Sequence, residues 1–147
     1  MASTNIPPGK TLLAARIIWF ALMMGELLFL GVTTFVILPN HGPAKPQPQT
    51  ILVWSSIFMA VAIIPVTFLI RSAIFRRTAV NGAVPAGPFV TGNIIFWAGC
   101  EGVCFFATVV ATVNGSLWPT IVVAVIALSL QALTFPVAER LYVPPDQ

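Results

Sequence analysis

Four uninterrupted apolar runs leave this chain little choice of solvent. They cover residues 17–38, 51–70, 92–113 and 117–137. Each is close to the ~20 residues an α-helix needs to cross the hydrocarbon core of a bilayer. A helix is also the form lipid permits, because it satisfies its backbone N–H and C=O groups internally, as an isolated strand does not. Composition agrees. The chain is 58% hydrophobic and only 7% charged, against roughly 25% charged in a soluble domain. The expected fold class is all-α: an integral membrane four-helix bundle of two helical hairpins. It forms one membrane domain over residues 1–147, with the lipid bilayer as its first partner.

The breaks between runs are legible. Residues 39–50, PNHGPAKPQPQT, are proline-rich and polar and cannot continue a helix. Residues 71–88, RSAIFRRTAVNGAVPAGP, are basic and then rich in Gly and Pro, and residues 114–116, NGS, read as a tight turn. The two ends, ASTNIPPGK and VPPDQ, read as short and poorly ordered. The first run is too long for a signal-peptide core and no small-residue cleavage site closes it, so it is expected to be a retained span. Pro65 predicts a kink in the second helix, and Pro136 the end of the fourth.

The net charge of +3 does not point to nucleic acid, because the basic residues flank apolar runs and form no stripe interleaved with aromatics. With four spans, Lys10, Arg16, Arg71, Arg76, Arg77 and Arg140 fall on one side and Lys45 alone on the other. The bias of Lys and Arg toward the inner face then predicts cytoplasmic N and C termini.

Four residues are acidic: Glu139 and Asp146 in the tail, and Glu26 and Glu101 inside apolar runs. A charged residue at a helix centre costs on the order of 2.5–3.5 kcal/mol on insertion scales. At the helical rise, both glutamates lie within roughly 2–3 Å of the midplane. Their surroundings also match. IIWFALMMGELLF (residues 17–29) is similar to IIFWAGCEGVCFF (residues 94–106), each with a small-xxx-small pair, Ala21/Gly25 and Ala98/Gly102, suited to close helix packing. Thr33 and Thr108 follow seven residues after each acid, on the same helix face. The pattern predicts an internal duplication about an axis along the membrane normal. No Lys or Arg lies within the spans to pair with either acid, so burial favours the neutral carboxyl and both are expected to be protonated at rest. A neutral carboxyl donates to a carbonyl or hydroxyl; reached by water or a cation, it becomes a proton- or cation-binding site. The alternative is a protonated glutamate that only glues helices together. Gln131, in the fourth run, is a candidate hydrogen-bond partner.

Other residues point away from catalysis. Cys100 and Cys104 share a helix face in poor geometry for a disulfide and read as small packing residues. Trp19, Trp54, Trp97 and Trp118 read as an interfacial aromatic belt. His41 is the only histidine and lies outside the runs, which excludes bis-histidine haem ligation within this chain. There is no CxxCH, P-loop, GxSxG or HExxH motif. The chain is expected to be neither an enzyme nor a metal or cofactor protein.

Residues 97–115, WAGCEGVCFFATVVATVNG, resemble the carboxylate-bearing helix of the rotor-ring proteolipid, the c subunit of F- and V-type ATPases. There an acid followed by small and aromatic residues sits mid-membrane and carries H⁺ or Na⁺. The resemblance implies Glu101 as ion carrier, Glu26 as a second carrier, and a homo-oligomer or larger membrane complex. The second run lacks the glycine repeat of the c subunit's partner helix, so what is implied is a c-subunit-like protein rather than an ATPase rotor. The EG pair of the third run also resembles that of small four-helix bacterial membrane proteins, which implies the inner membrane. Proton or cation binding or translocation is thus one expected function, and a non-catalytic accessory subunit with structural glutamates is the other.

Overall fold

The computed structural model describes residues 8–40 and 50–138, and these are helical apart from short connections. Helix α1 (Pro8–Val32) runs into a π-helical turn, Thr33–Ile37, and a last α-turn, Leu38–Asn40. Helices α2 (Thr50–Thr78), α3 (Ala86–Asn114) and α4 (Thr120–Leu133) follow. Three helical stretches, Gly9–Asn40, Thr50–Thr78 and Ala86–Asn114, are long and apolar enough to cross a membrane. The expectations for His41, Lys45, Glu139, Arg140 and Asp146 lie outside the described residues.

Helix α4 corrects the fourth expected span, residues 117–137. It has 14 residues, which at the helical rise is about 21 Å and short of a ~30 Å hydrocarbon core. Prolines set both limits. Pro119 precedes the first turn, where a missing N–H costs nothing. Pro136 disfavours helical geometry at Phe135, and the chain leaves the helix at Thr134.

The second run is longer than its apolar stretch. Helix α2 continues through Pro65 without a break and on through Arg71 to Thr78, eight residues past the expected end at 70. Arg76 and Arg77 occupy its last turn, where cations complement the exposed carbonyls. The true connection is a tight turn at Asn81-Gly82. Both residues have positive φ, 51° and 82°, and Val80 and Ala83 exchange backbone hydrogen bonds of 2.8 and 3.0 Å across them. Asn-Gly is the dipeptide such a turn favours. At the far end of α3, Gly115 takes the left-handed conformation and its N–H caps the carbonyls of Ala111 and Thr112.

Helix α3 is the axis of the molecule. Half of its most apolar window is buried, against 11% in α1 and in α2. Helices α1, α2 and α4 all pack on it, whereas α1 and α2 scarcely meet. The expected first hairpin therefore does not pack as a pair: α2 lies against α3 instead. The close approaches are at Gly92 and Gly99, where an added Cβ would come within 2.7 Å of Phe75 and of Thr67 on α2. This corrects the small-residue expectation. Ala21 and Ala98 are exposed, Gly25 has nothing within 4 Å of a Cβ position, and Gly102 meets only the Met59 methyl at 3.9 Å. A small residue permits close packing only where a neighbouring helix lies over it. The outward faces of α1 and α2 carry exposed Ile17, Phe20, Leu28, Phe58, Val61 and Leu69, surfaces suited to lipid rather than water.

Candidate functional site

Helix α1 presents a thin inner face, and most of it is polar. Among its described residues Thr11, Ala15, Glu26 and, in the π-turn, Thr33 are the buried ones. The three polar members each keep a buried side-chain oxygen with no hydrogen-bond partner. Glu26 and Thr33 are fully buried, at 0% exposure.

Glu26 lies where α1, α3 and α4 converge. Its carboxyl is beside the Cys104 thiol of α3 and the Gln131 side chain of α4, with Cys100 also in its surroundings. None of these approaches has full hydrogen-bond geometry: both Glu26 oxygens, and both Gln131 amide atoms, stay unsatisfied. Gln131 is itself 0% exposed. A buried polar group without a partner costs on the order of 1–3 kcal/mol by mutational measures, and here several sit side by side. Such a cluster is a place for a ligand small enough to bridge the groups, such as water, a proton or a small cation.

The walls of this cluster are fixed by aromatic contacts. The Trp19 indole N–H of α1 donates to the Gln131 backbone carbonyl at 2.9 Å, and the Trp97 N–H of α3 donates to Thr134 Oγ1 at 3.1 Å. Phe29 of α1 and Phe105 of α3 meet edge to face at 5.1 Å. Trp97, at 0% exposure, and half-buried Trp19 are thus helix ties, which corrects their reading as belt residues. Trp54 and Trp118 are exposed, 64% and 70%. Arg16 does not reach Glu26; its Nε donates to the Pro136 carbonyl at 3.4 Å and its guanidinium lies over Phe135.

Glu101 sits differently. It is half-buried on α3 and forms no hydrogen bond or ion pair among the described residues. It is near enough to Glu26 for the two carboxyls to interact electrostatically. The two threonines differ as well. Thr108 is buried but donates to the Cys104 carbonyl at 2.8 Å, while Thr33 has no partner. The structure brings Glu26 and Gln131 together, as their residue types suggest. It adds Cys104 and Cys100, read from sequence as packing residues. Their spacing of four on one helix, with Cys100 one residue before and Cys104 three after Glu101, is the signal in the sequence; which helix they face is not.

Among the described residues no group of three or more His, Cys, Asp or Glu side chains is placed to hold a metal ion. No protein-family model matches this chain, and no curated protein or solved structure is significantly similar to it.

Proposed function

We propose that this chain is an integral membrane four-helix bundle that binds a proton or small cation at a carboxyl held within the membrane, with Glu26 the principal group and Glu101 the second. The observation that carries the reading is Glu26 itself. It is fully buried, both oxygens lack a hydrogen-bond partner, and its neighbour Gln131 is equally unsatisfied. A purely structural glutamate would be expected to complete its bonds. Thr33, at the head of a π-turn, adds a buried hydroxyl on the same helix; π-turns recur at functional sites. The c-subunit resemblance, cytoplasmic termini and an inner-membrane location are parts of this proposal, and the acid it favours as carrier is on α1 rather than α3.

Glu101 supports a second reading. A half-buried carboxyl at mid-helix, without a hydrogen bond or ion pair among the described residues, suits an accessory subunit that hydrogen-bonds a neighbouring helix of a complex.

Carbodiimide labelling of native membranes, followed by peptide mapping, separates the two. An ion-binding Glu26 reacts, its rate falls as pH rises, and the transported cation protects it. In proteoliposomes Glu26→Gln then abolishes proton flux while the protein still assembles. Labelling confined to Glu101, with flux unchanged in Glu26→Gln, would sink the first reading and leave the accessory one.

A further inference from the structure

The place of Gln131 beside Glu26 follows from the direction of two helices. Helices α1 and α4 are antiparallel where they meet. Arg16 Nε donates to the Pro136 carbonyl at 3.4 Å, and Trp19, further along α1, donates to the Gln131 carbonyl at 2.9 Å. Side chains on a helix lean toward its N-terminus. The Gln131 side chain therefore leans from the level of Trp19 toward Glu26, and the two become neighbours. The bonds from Trp19 and Thr134 go to the backbone carbonyl of Gln131. Its side-chain amide has no other partner among the described residues.

The other groups around the carboxyl are soft. Cys100 and Cys104 of α3 face it with thiols. Oxygen beside the carboxyl comes from Gln131 Oε1. The Thr33 hydroxyl lies seven residues on, about 10 Å along the helix, and Thr108 Oγ1 is bonded to the Cys104 carbonyl at 2.8 Å. A hard divalent cation takes about six to eight oxygens, and thiol sulfur is a poor substitute. Sodium sites between membrane helices draw on carbonyls freed where a helix is unwound. Glu26, Cys100, Cys104 and Gln131 all lie within continuous helix, whose carbonyls are spent in the helical ladder.

A proton makes other demands, and an amide meets them in both states. The neutral carboxyl has one O–H to donate, and Gln131 Oε1 accepts it. When the proton leaves to water, the carboxylate only accepts, and Gln131 Nε2 donates to it. The titratable groups that face Glu26 are Cys100, Cys104 and Glu101, all from α3. Gln131 on α4 does not titrate, and Arg16 on α1 is held at Pro136.

We infer that Glu26 takes a proton in preference to a metal cation, and that Gln131 is the positioning residue that bonds the carboxyl both with the proton and without it. The inference rests on the ion-binding reading of Glu26 and narrows its ligand.

The test labels native membranes with carbodiimide, which reacts with the protonated carboxyl, and maps the product to Glu26. The rate is followed across pH with sodium, potassium or calcium chloride exchanged for choline chloride at constant ionic strength. It should fall as pH rises and be the same in all four salts, because the proton has no competitor. Gln131→Leu removes the N–H given to the carboxylate and keeps the backbone carbonyl that ties α4 to α1. On the alkaline arm its Glu26 rate should rise about ten-fold, the worth of one hydrogen bond to a charged group. Ser129→Ala, at an exposed polar position of the same helix, should match wild type. Slowing by any metal salt overturns the proton assignment and leaves the ion-binding reading standing. A Gln131→Leu profile equal to wild type, or one that Ser129→Ala reproduces, overturns the role of Gln131. Failure of Glu26 to react at any pH overturns the ion-binding reading itself, and this inference with it.

Discussion

Helices α1 and α3 carry a glutamate in similar sequence, yet they occupy opposite positions in the molecule. Helix α3 is packed on three sides and α1 on little more than a stripe. The buried acid is nonetheless the one on α1. Glu26 falls on the single inward face of its helix, whereas Glu101 falls toward the part of α3 that its neighbours leave half open. The depth of an acid along a helix follows from where the apolar run begins and ends. Its burial follows from which way the helix faces and what stands opposite, and local similarity between two segments does not determine that.

The strongest way to break this comparison is to force a charge onto both positions. Glu26→Lys would bury an ammonium completely among Cys104, Gln131 and Cys100, with the half-buried Glu101 carboxyl as the acid near it, at a cost of several kcal/mol. Loss of the monodisperse species in size-exclusion chromatography is the expected result. Glu101→Lys, at a half-buried position outside the Glu26 cluster, should remain folded with a smaller loss in thermal stability. Similar behaviour of the two variants would mean that the two acids share an environment after all.

A smaller effect separates the glycines. Gly99→Ala sets a methyl 2.7 Å from Thr67 Cγ2 and 2.8 Å from its Oγ1. Thr67 cannot swing away easily, since it is β-branched and its hydroxyl is bonded to the Ile63 carbonyl at 2.9 Å. Helices α2 and α3 must separate, at an expected loss of about 1–3 kcal/mol. Gly25→Ala, beside the other glutamate, meets nothing within 4 Å and should be neutral or slightly stabilising through helix propensity. Detergent-phase unfolding midpoints distinguish them. A destabilising Gly25→Ala would reveal a partner helix seated on α1.

These contrasts show which parts of the fold were legible in the sequence. Three long apolar helices could be read from run length alone, because the membrane thickness sets it. The extent of α2 and α4 could not. Arg71 reads as a loop residue, but Asn93, 22 positions on in the chain, and Phe96, three residues beyond it, together with nearby Phe75, make its burial tolerable. Such partners are supplied only by tertiary packing. At the candidate site, the glutamates and Gln131 stood out because polar groups are scarce in apolar runs. Cys104 did not, since a thiol is equally at home in a core, and only the facing of α1 makes it a neighbour of Glu26.

The finest division is between the two threonines. Thr108 donates to the Cys104 carbonyl of its own helix, and Thr108→Val should cost about 0.6 kcal/mol, the mean for a hydrogen bond in a membrane protein. Thr33→Val removes a buried hydroxyl that has no partner, so the unfolding midpoint should stay level or rise. A drop larger than that of Thr108→Val would show that water or an ion completes the Thr33 hydroxyl in the assembled protein. Unchanged stability with altered proton flux would instead place Thr33 on the route to Glu26 and assign the π-turn a part in transport. The same substitution thus tests both whether the inner face of α1 is dry and whether its polar groups act together.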